Sequence, residues 1–446
     1  MLTNLNLEIE KIGPVDKVNI GIGKVNVIGG LNATGKSTVS KLLYCILKGN
    51  VVNRQKFAYS LIVPSLRRVI RSYRNQIVHG DIYDLSDEEL SQFNDLFRNS
   101  QFLSDEELVE IYEKIETEII KENINSDNSW KDEYLLNLNK KIGRQIEVIE
   151  KNDNELYSSI LKRVLSSEFY SLKFSGLINF RGFYNDQSFD YSIDLRNSLV
   201  KDSSLQGFFS LSDVNYIDSI SILDLENLDF NNFRRNKLQK DKFRRNKFRR
   251  NERITHLLYN LNDDSDSLEF LDEEFNEKII YVEEKINELI NGKFGFTSEG
   301  FSFISNDGHE TLIGDTSSGI KQIGIVQILL GNRKLKEGSF LIIDEPEVNL
   351  HPEWQIKFAE LLAKIASDLE VTIYVNTHSP MFIEAMSIFS EYYYLKDETN
   401  FYLTKKQGKG FAFKKIANDD MGAVYENLSR PYDDLDKVKA DILHRV

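Results

Sequence analysis

The 446-residue sequence predicts an α/β fold with a mixed, largely parallel sheet, an antiparallel β lobe and an inserted helical subdomain. Three observations predict it. A short apolar run, Val25-Asn26-Val27-Ile28, enters a glycine-containing loop and leaves it into the helical pattern Val39-Ser40-Lys41-Leu42-Leu43. A second run, Phe340-Leu341-Ile342-Ile343, is apolar at four consecutive positions and closes on Asp344-Glu345-Pro346. Such a run marks a strand covered on both faces, with its acids at the carboxyl end where open α/β sheets place ligands. Between the two, residues 53–167 turn charged and helical.

In chain order, residues 2–10 and 17–28 are expected as the opening strands of the antiparallel lobe. The loop Gly30-Leu31-Asn32-Ala33-Thr34-Gly35-Lys36-Ser37-Thr38 then fits G-x-x-x-x-G-K-[ST] at every specified position. Its strand–loop–helix setting is the context in which that pattern binds phosphate. The glycines let backbone N–H groups turn inward, and the helix N-terminus adds positive potential. Lys36 is placed to reach the β- and γ-phosphates, and the Ser37 hydroxyl to ligate Mg²⁺. Gly30, Asn32, Ala33, Thr34, Gly35 and Thr38 complete the nucleotide-binding set, with ATP and Mg²⁺ as the expected cofactors.

The acids after the second strand supply the remaining chemistry. Asp344 is placed to hold Mg²⁺ through its water shell, and Glu345 to polarise the water that attacks the γ-phosphate. Upstream, Thr316-Ser317-Ser318-Gly319-Ile320-Lys321-Gln322 precedes an apolar stretch, residues 323–330, expected as a buried helix. Serine hydroxyls and free N–H groups at a helix start form a second anion site. Residues 371–375 make a further strand, ending in Asn376-Thr377-His378-Ser379-Pro380. His378 there is in position to hydrogen-bond a γ-phosphate.

The order phosphate loop, Ser-Ser-Gly, strand with Asp-Glu-Pro and Thr-His-Ser-Pro resembles the layout of ABC-type ATPase heads within the P-loop NTPases. The likeness is to the branch holding SMC and OLD-family proteins and the stand-alone ATPases of antiphage systems; Asn349-Leu350-His351-Pro352 resembles that branch's D-loop. The resemblance covers residues 1–48 and about 285–400. It implies a homodimer of facing heads, in which Ser317, Ser318 and Gly319 of one copy complete the ATP site of the other. It also implies Glu345 as base, His378 as switch, and a separate effector protein, plausibly a nuclease. The signature departs from Leu-Ser-Gly-Gly-Gln at Thr316, Ser318 and Ile320. A DNA-repair head binding duplex DNA is the alternative from the same branch.

Composition narrows the setting. One cysteine, Cys45, rules out a disulfide framework and points to the cytoplasm. No apolar run reaches eighteen residues, so no membrane span is expected. A net charge of −14 argues against a whole-surface nucleic-acid binder. The charge is uneven: residues 233–253 hold eleven Lys or Arg against Asp241 and Glu252, a local +9 that leaves −23 elsewhere. Phe-Arg-Arg-Asn recurs there at Phe233, Phe243 and Phe248. Interleaved aromatics and arginines suit stacking on bases and meeting phosphates. The other reading is a solvated insertion paired with the eight acids of residues 263–277.

Five segments result: 1–50 (head), 51–167 (helical insertion), 168–230 (head), 231–275 (basic then acidic insertion) and 276–446 (head). Within the helical insertion, Ser86 and Ser104 open Ser-x-x-Glu helix starts and residues 107–122 carry a helical apolar stripe. Strand character resumes over 170–195, and residues 276–290 are expected as a helix before a hairpin around 294–304. Edge strands are expected at 391–395 and 401–415, and a helix and tail over 421–446. Arg74-Asn75-Gln76-Ile77-Val78-His79 resembles the R-N-x-x-x-H motif of HEPN ribonucleases, which implies RNA cleavage through Arg74 and His79. The bland alternative is a helix end capped by Gly80.

Overall fold

The computed structural model describes residues 2–51, 153–169, 175–196, 199–207, 209–218, 252–262, 273–296, 301–417, 420–428 and positions 435, 437–439 and 442. The chain forms two compact units. One comprises Met1–Val52, Leu161–Asn231 and Arg249–Val446; the other comprises Asn53–Ile160 and Asn232–Phe248. The expected helices between 86 and 122, the Arg74 and His79 pair, and residues 233–251 of the basic run lie outside the described residues.

The first unit opens with β1 (Leu2–Ile12), β2 (Val15–Ile22), β3 (Val25–Gly29) and helix α1 (Lys36–Lys48). Helix α2 (Asp153–Glu168) leads to β4 (Gly176–Tyr184), β5 (Gln187–Arg196), β6 (Leu199–Gln206) and β7 (Val214–Ile217). Helices α3 (Glu252–Asn262) and α4 (Glu273–Ile290) precede a small sheet of β8 (Gly292–Phe296), β9 (Phe301–Ser305) and β10 (Glu310–Leu312). The chain ends with α5 (Ser318–Gly331), β11 (Phe340–Asp344), α6 (Pro352–Asp368), β12 (Thr372–Thr377), α7 (Pro380–Tyr392), β13 (Thr399–Gln407), β14 (Gly410–Ile416) and α8 (Met421–Leu428).

Eleven strands form one mixed sheet in the order β6-β5-β4-β1-β2-β14-β13-β3-β12-β11-β7. From β7 to β13 every neighbour pair is parallel; from β2 to β6 every pair is antiparallel. Residue pattern explains the division. All five residues of β3 are buried, as are the four apolar residues of β11, so both strands belong between covered faces. By contrast β5 alternates, burying Phe189, Tyr191, Ile193 and Leu195 while its other residues stay more open. Its inward rings pack with Phe180 and Phe209, the Phe189 and Phe209 centroids lying 4.5 Å apart.

Two expectations are corrected. Residues 391–395 are not a strand. Ser379 Oγ accepts the Phe382 N–H at 3.2 Å, Pro380 occupies the first turn, and the helix so started runs to Tyr392 before closing on Phe389. The helical repeat of buried Phe382, Ile383 and Met386 outweighs the strand preference of three successive tyrosines. Residues 401–415 do form strands, but not at an edge. β13 lies between β3 and β14, and β14 between β13 and β2, because Phe401, Tyr402, Leu403 and Phe413 are buried; the edges of this eleven-stranded sheet, among the described residues, are β6 and β7.

Helix α3 joins β7 through a polar stripe. Arg253, His256 and Asn260, spaced three and four apart, share one helix face. His256 Nε2 lies 2.7 Å from Asp213 Oδ1, and Asn260 Nδ2 donates to Asp213 Oδ2 at 2.6 Å and to Asn215 Oδ1 at 2.8 Å. Lys48, the last residue of α1, meets His256 Nδ1 at 2.9 Å. Burial pushes the Asp213 carboxyl up, but His256 and Lys48 draw it down to about 2. A carboxyl held lower in the folded chain stabilises above its unfolded value and loses that contribution as pH falls through the folded one. Asp213 is therefore expected to cost the fold about 2 kcal/mol between pH 4 and pH 2. Urea unfolding across that window, compared with Asp213→Asn, measures it: the variant's stability should fall less steeply.

No described helix is long and apolar enough to cross a membrane.

Candidate nucleotide site

The glycine loop expected to bind phosphate follows β3, which has a parallel neighbour on each side. Gly30 is demanded by close approach, since a Cβ there would stand 1.9 Å from Thr404 Oγ1 on β13. Gly35 caps α1 with φ +96°, a conformation that L side chains rarely adopt, and Ala33 also lies in the left-handed region at +61°. Thr34 Oγ1 donates to the Leu31 carbonyl at 2.8 Å, pinning the loop, while Asn32 and Ala33 are exposed. Ser37 and Thr38 sit half-buried in the first turn of α1, which holds no acid to oppose an anion.

Lys36 is buried, and its ammonium donates to the carbonyls of Gly30 at 2.8 Å and Leu31 at 3.0 Å. Its third neighbour is His378 Nε2, at 3.1 Å. Burial lowers the Lys36 amine to about 8, although Asp344, Glu345 and Glu347 pull it up. Phosphate demands the charged form, so ATP binding above pH 8 should draw a proton from solvent, while ATP's own phosphates are already ionised there. Calorimetry at pH 9 in buffers of different ionisation enthalpy should show uptake approaching one proton, vanishing near pH 7. No uptake at pH 9 would mean that Lys36 does not meet the phosphates.

The carboxyl ends of β11 and β12 bring the other predicted residues to this lysine. Asp344 Oδ1 accepts Asn376 Nδ2–H at 2.8 Å, and Oδ2 accepts the Tyr216 hydroxyl at 3.1 Å. Ser40 ties the same cluster together, 2.8 Å from Tyr216 Oη and 2.9 Å from Asn376 Nδ2. Ser40 stands one turn beyond Ser37, so the cluster joins the phosphate-loop helix to the acid strand. Glu345 turns off the strand with φ +56°, and its N–H donates to the Asn376 carbonyl at 2.8 Å. Its carboxylate lies 3.3 Å from His378 Nε2. Glu347 accepts the His378 backbone N–H at 2.6 Å.

Burial and the Lys36 charge push the His378 imidazole below its ordinary value, against the pull of Glu345 and Glu347. The ring is thus neutral at pH 7. A neutral Nε2 cannot both accept from Lys36 and donate to Glu345. Nε2 therefore serves one of the two at a time, accepting from the Lys36 ammonium at 3.1 Å or donating to the Glu345 carboxylate at 3.3 Å.

The signature serines open α5. Ser317 is its exposed N-cap, with no side-chain cap bond, and Ser318 is half-buried. Gly319 is buried against the segment that follows Asp344: a Cβ there would stand 2.9 Å from the Asn349 carbonyl. Gln322 Nε2 reaches the Glu345 carbonyl at 3.4 Å. The start of α5 therefore rests on the same segment that carries Glu345.

Buried acceptors Gln322 Oε1, Glu347 Oε2 and Asn376 Oδ1 have no hydrogen-bond partner, so this pocket holds polar capacity that the chain itself does not fill. Among the described residues no group of three or more His, Cys, Asp or Glu could hold a metal alone. The hard-oxygen pair Ser37 and Asp344 suits Mg²⁺, which keeps water and takes phosphate oxygens rather than an all-protein cage.

Tyr216, Ser40 and Glu347 were not legible as site residues. Ser40 had the one signal available, its three-residue spacing from Ser37, and Asn376 stood out only as an amide at the end of an apolar strand. One candidate is withdrawn from the basic run: Arg253 is buried in ion pairs with Glu168 and Asp218 and is not available to a polyanion.

No curated protein matches the chain. Solved structures similar to it include the SMC head domain from Thermotoga maritima, 11% identical over 92% of this chain and 98% of that one, with TM-score 0.39. The Smc head domain with an extended coiled coil bound to the C-terminal domain of ScpA, derived from Pyrococcus furiosus, is 11% identical over 94% and 98%, with TM-score 0.43. An ATP-binding cassette of an ABC transporter in its ADP conformation is 10% identical over 97% and 98%, with TM-score 0.35. Likenesses of this degree assign no activity. A family profile does: the chain belongs to the AAA ATPase domain family, matched over residues 6–383 from the first strand to beyond His378, and is an ATP-binding, ATP-hydrolysing protein.

Proposed function

We propose that this protein is an Mg²⁺-dependent ATPase whose heads pair on ATP and thereby control a separate effector protein. The observation that carries the ATPase part is one contact set: Lys36 and Glu345, far apart in sequence, both meet His378 Nε2, at 3.1 and 3.3 Å. Lys36 neutralises the β- and γ-phosphates. Ser37 and Asp344 would hold Mg²⁺, which supplies charge neutralisation of the leaving phosphates. Glu345 takes the proton of the attacking water. Once phosphate draws the Lys36 ammonium away, the His378 ring is released from it and can donate to the γ-phosphate.

Pairing of heads is supported by the exposed, uncapped start of α5, which leaves Ser317 and Ser318 open to a phosphate presented by a second copy. The effector, a nuclease in antiphage defence within the cytoplasm, rests on the resemblance in motif order. Complementation tests the shared site. Lys36→Ala and Ser318→Arg should each abolish turnover, and their mixture should regain roughly a quarter of it, because half the dimers then hold one intact composite site. A mixture as inactive as its components, with mixed dimers shown to form, would exclude the shared site.

A further inference from the structure

Arg253, the second residue of α3, gathers three segments of the head. Its Nη1 pairs with Glu168 Oε2 at 2.6 Å, its Nη2 pairs with Asp218, and its backbone N–H donates to Glu168 Oε1 at 3.0 Å. Its guanidinium carbon lies 5.4 Å from the centre of the Tyr216 ring, whose hydroxyl bonds Asp344. Glu168 ends α2, Asp218 follows β7 and Arg253 is the second residue of α3, so one guanidinium ties together three elements distant in sequence. Beyond Arg253, His256 and Asn260 anchor α3 on Asp213 and Asn215.

We propose that Arg253 is a positioning residue for the ATP site, which acts by holding Tyr216 on Asp344. The planar guanidinium fork engages two carboxylates while its charge faces an aromatic ring, a combination that an ammonium cannot reproduce. A side chain without the fork cannot hold both carboxylates and face the ring at once. The phenol is then held by Ser40 and Tyr44 alone, and its bond to Asp344 is less strictly aimed. This role rests on the reading of Asp344 as the residue that holds Mg²⁺.

The test is a double-mutant cycle on the full chain, with ATP turnover followed against Mg²⁺ concentration. Arg253→Lys keeps a cation beside buried Glu168 but loses the fork; Tyr216→Phe keeps the ring but loses the hydroxyl. Each is expected to lower kcat about tenfold. Each should also raise the Mg²⁺ needed for half-maximal turnover, leaving metal-free ATP affinity unchanged. The double variant should be no slower than the slower single one, because Arg253 acts through Tyr216. Losses that multiply, or an unaltered Mg²⁺ requirement, would overturn that role; a merely structural one predicts lower melting temperatures without the Mg²⁺ shift. If Arg253→Lys does not fold, Asp218→Asn replaces it in the cycle. Wild-type protein that binds ATP without turnover would strike the hydrolytic reading alone. The cycle is then read on the gain in ATP affinity that Mg²⁺ confers, with the same non-multiplying pattern expected.

Discussion

Glu345→Gln is expected to lower ATP turnover by at least about 10²-fold while ATP stays bound. The substitution keeps the side-chain length, the left-handed backbone at φ +56° and a polar partner for His378, 3.3 Å away, so the pocket's shape is retained. What it removes is the basic carboxylate. Without a group to take the proton of the attacking water, the barrier rises by the amount a positioned general base normally lowers it. If ATP bridges two heads, the variant should also accumulate as an ATP-bound dimer, visible by sedimentation with and without nucleotide. Turnover equal to wild type would remove Glu345 from the mechanism. An ATP-loaded variant that stays monomeric would leave Glu345 in place and remove the shared site.

Lys36→Ala is expected to reduce ATP affinity by more than about 100-fold, read by titration with a fluorescent nucleotide. The ammonium is already paired with the Gly30 and Leu31 carbonyls and draws on the nearby acids, so it sits ready where the glycines open the backbone. Removing it also leaves Asp344, Glu345 and Glu347 without their nearest cation, and an incoming triphosphate would then meet uncompensated like charge. Melting curves separate loss of binding from loss of fold. A buried, desolvated amine is itself a cost to stability, so the variant is expected to melt no lower than wild type. Retained nucleotide affinity in a folded Lys36→Ala protein would end the phosphate-loop reading.

Much of the fold was legible in the chain's local patterns. The turn from β3 through Gly30–Gly35 into α1 is contiguous, and its steric demands fall on named residues, so nine letters suffice to read it. The four buried residues before Asp344 announced a covered strand, and the apolar stretch after Ser318 announced the buried helix α5. The strand expected at 391–395 failed because three tyrosines suggested extension while the Ser379 cap and the helical repeat behind it carried the helix through Tyr392. The edge placement of 401–415 failed for a different reason. Residue alternation tells which side of a strand is buried, not which strands lie beside it.

By itself, then, the sequence determined the glycine loop between β3 and α1, the acid pair and their strand ends, since each depends on backbone sterics and burial over a few adjacent residues. Only the tertiary structure decided that Tyr216, Ser40 and Asn376 converge on Asp344, that His378 stands between Lys36 and Glu345, and that Arg253 serves the interior rather than a polyanion. Those contacts join residues up to 342 positions apart. They are set by which strands share the sheet and which faces it covers, a balance of burial over the whole core that no single position encodes.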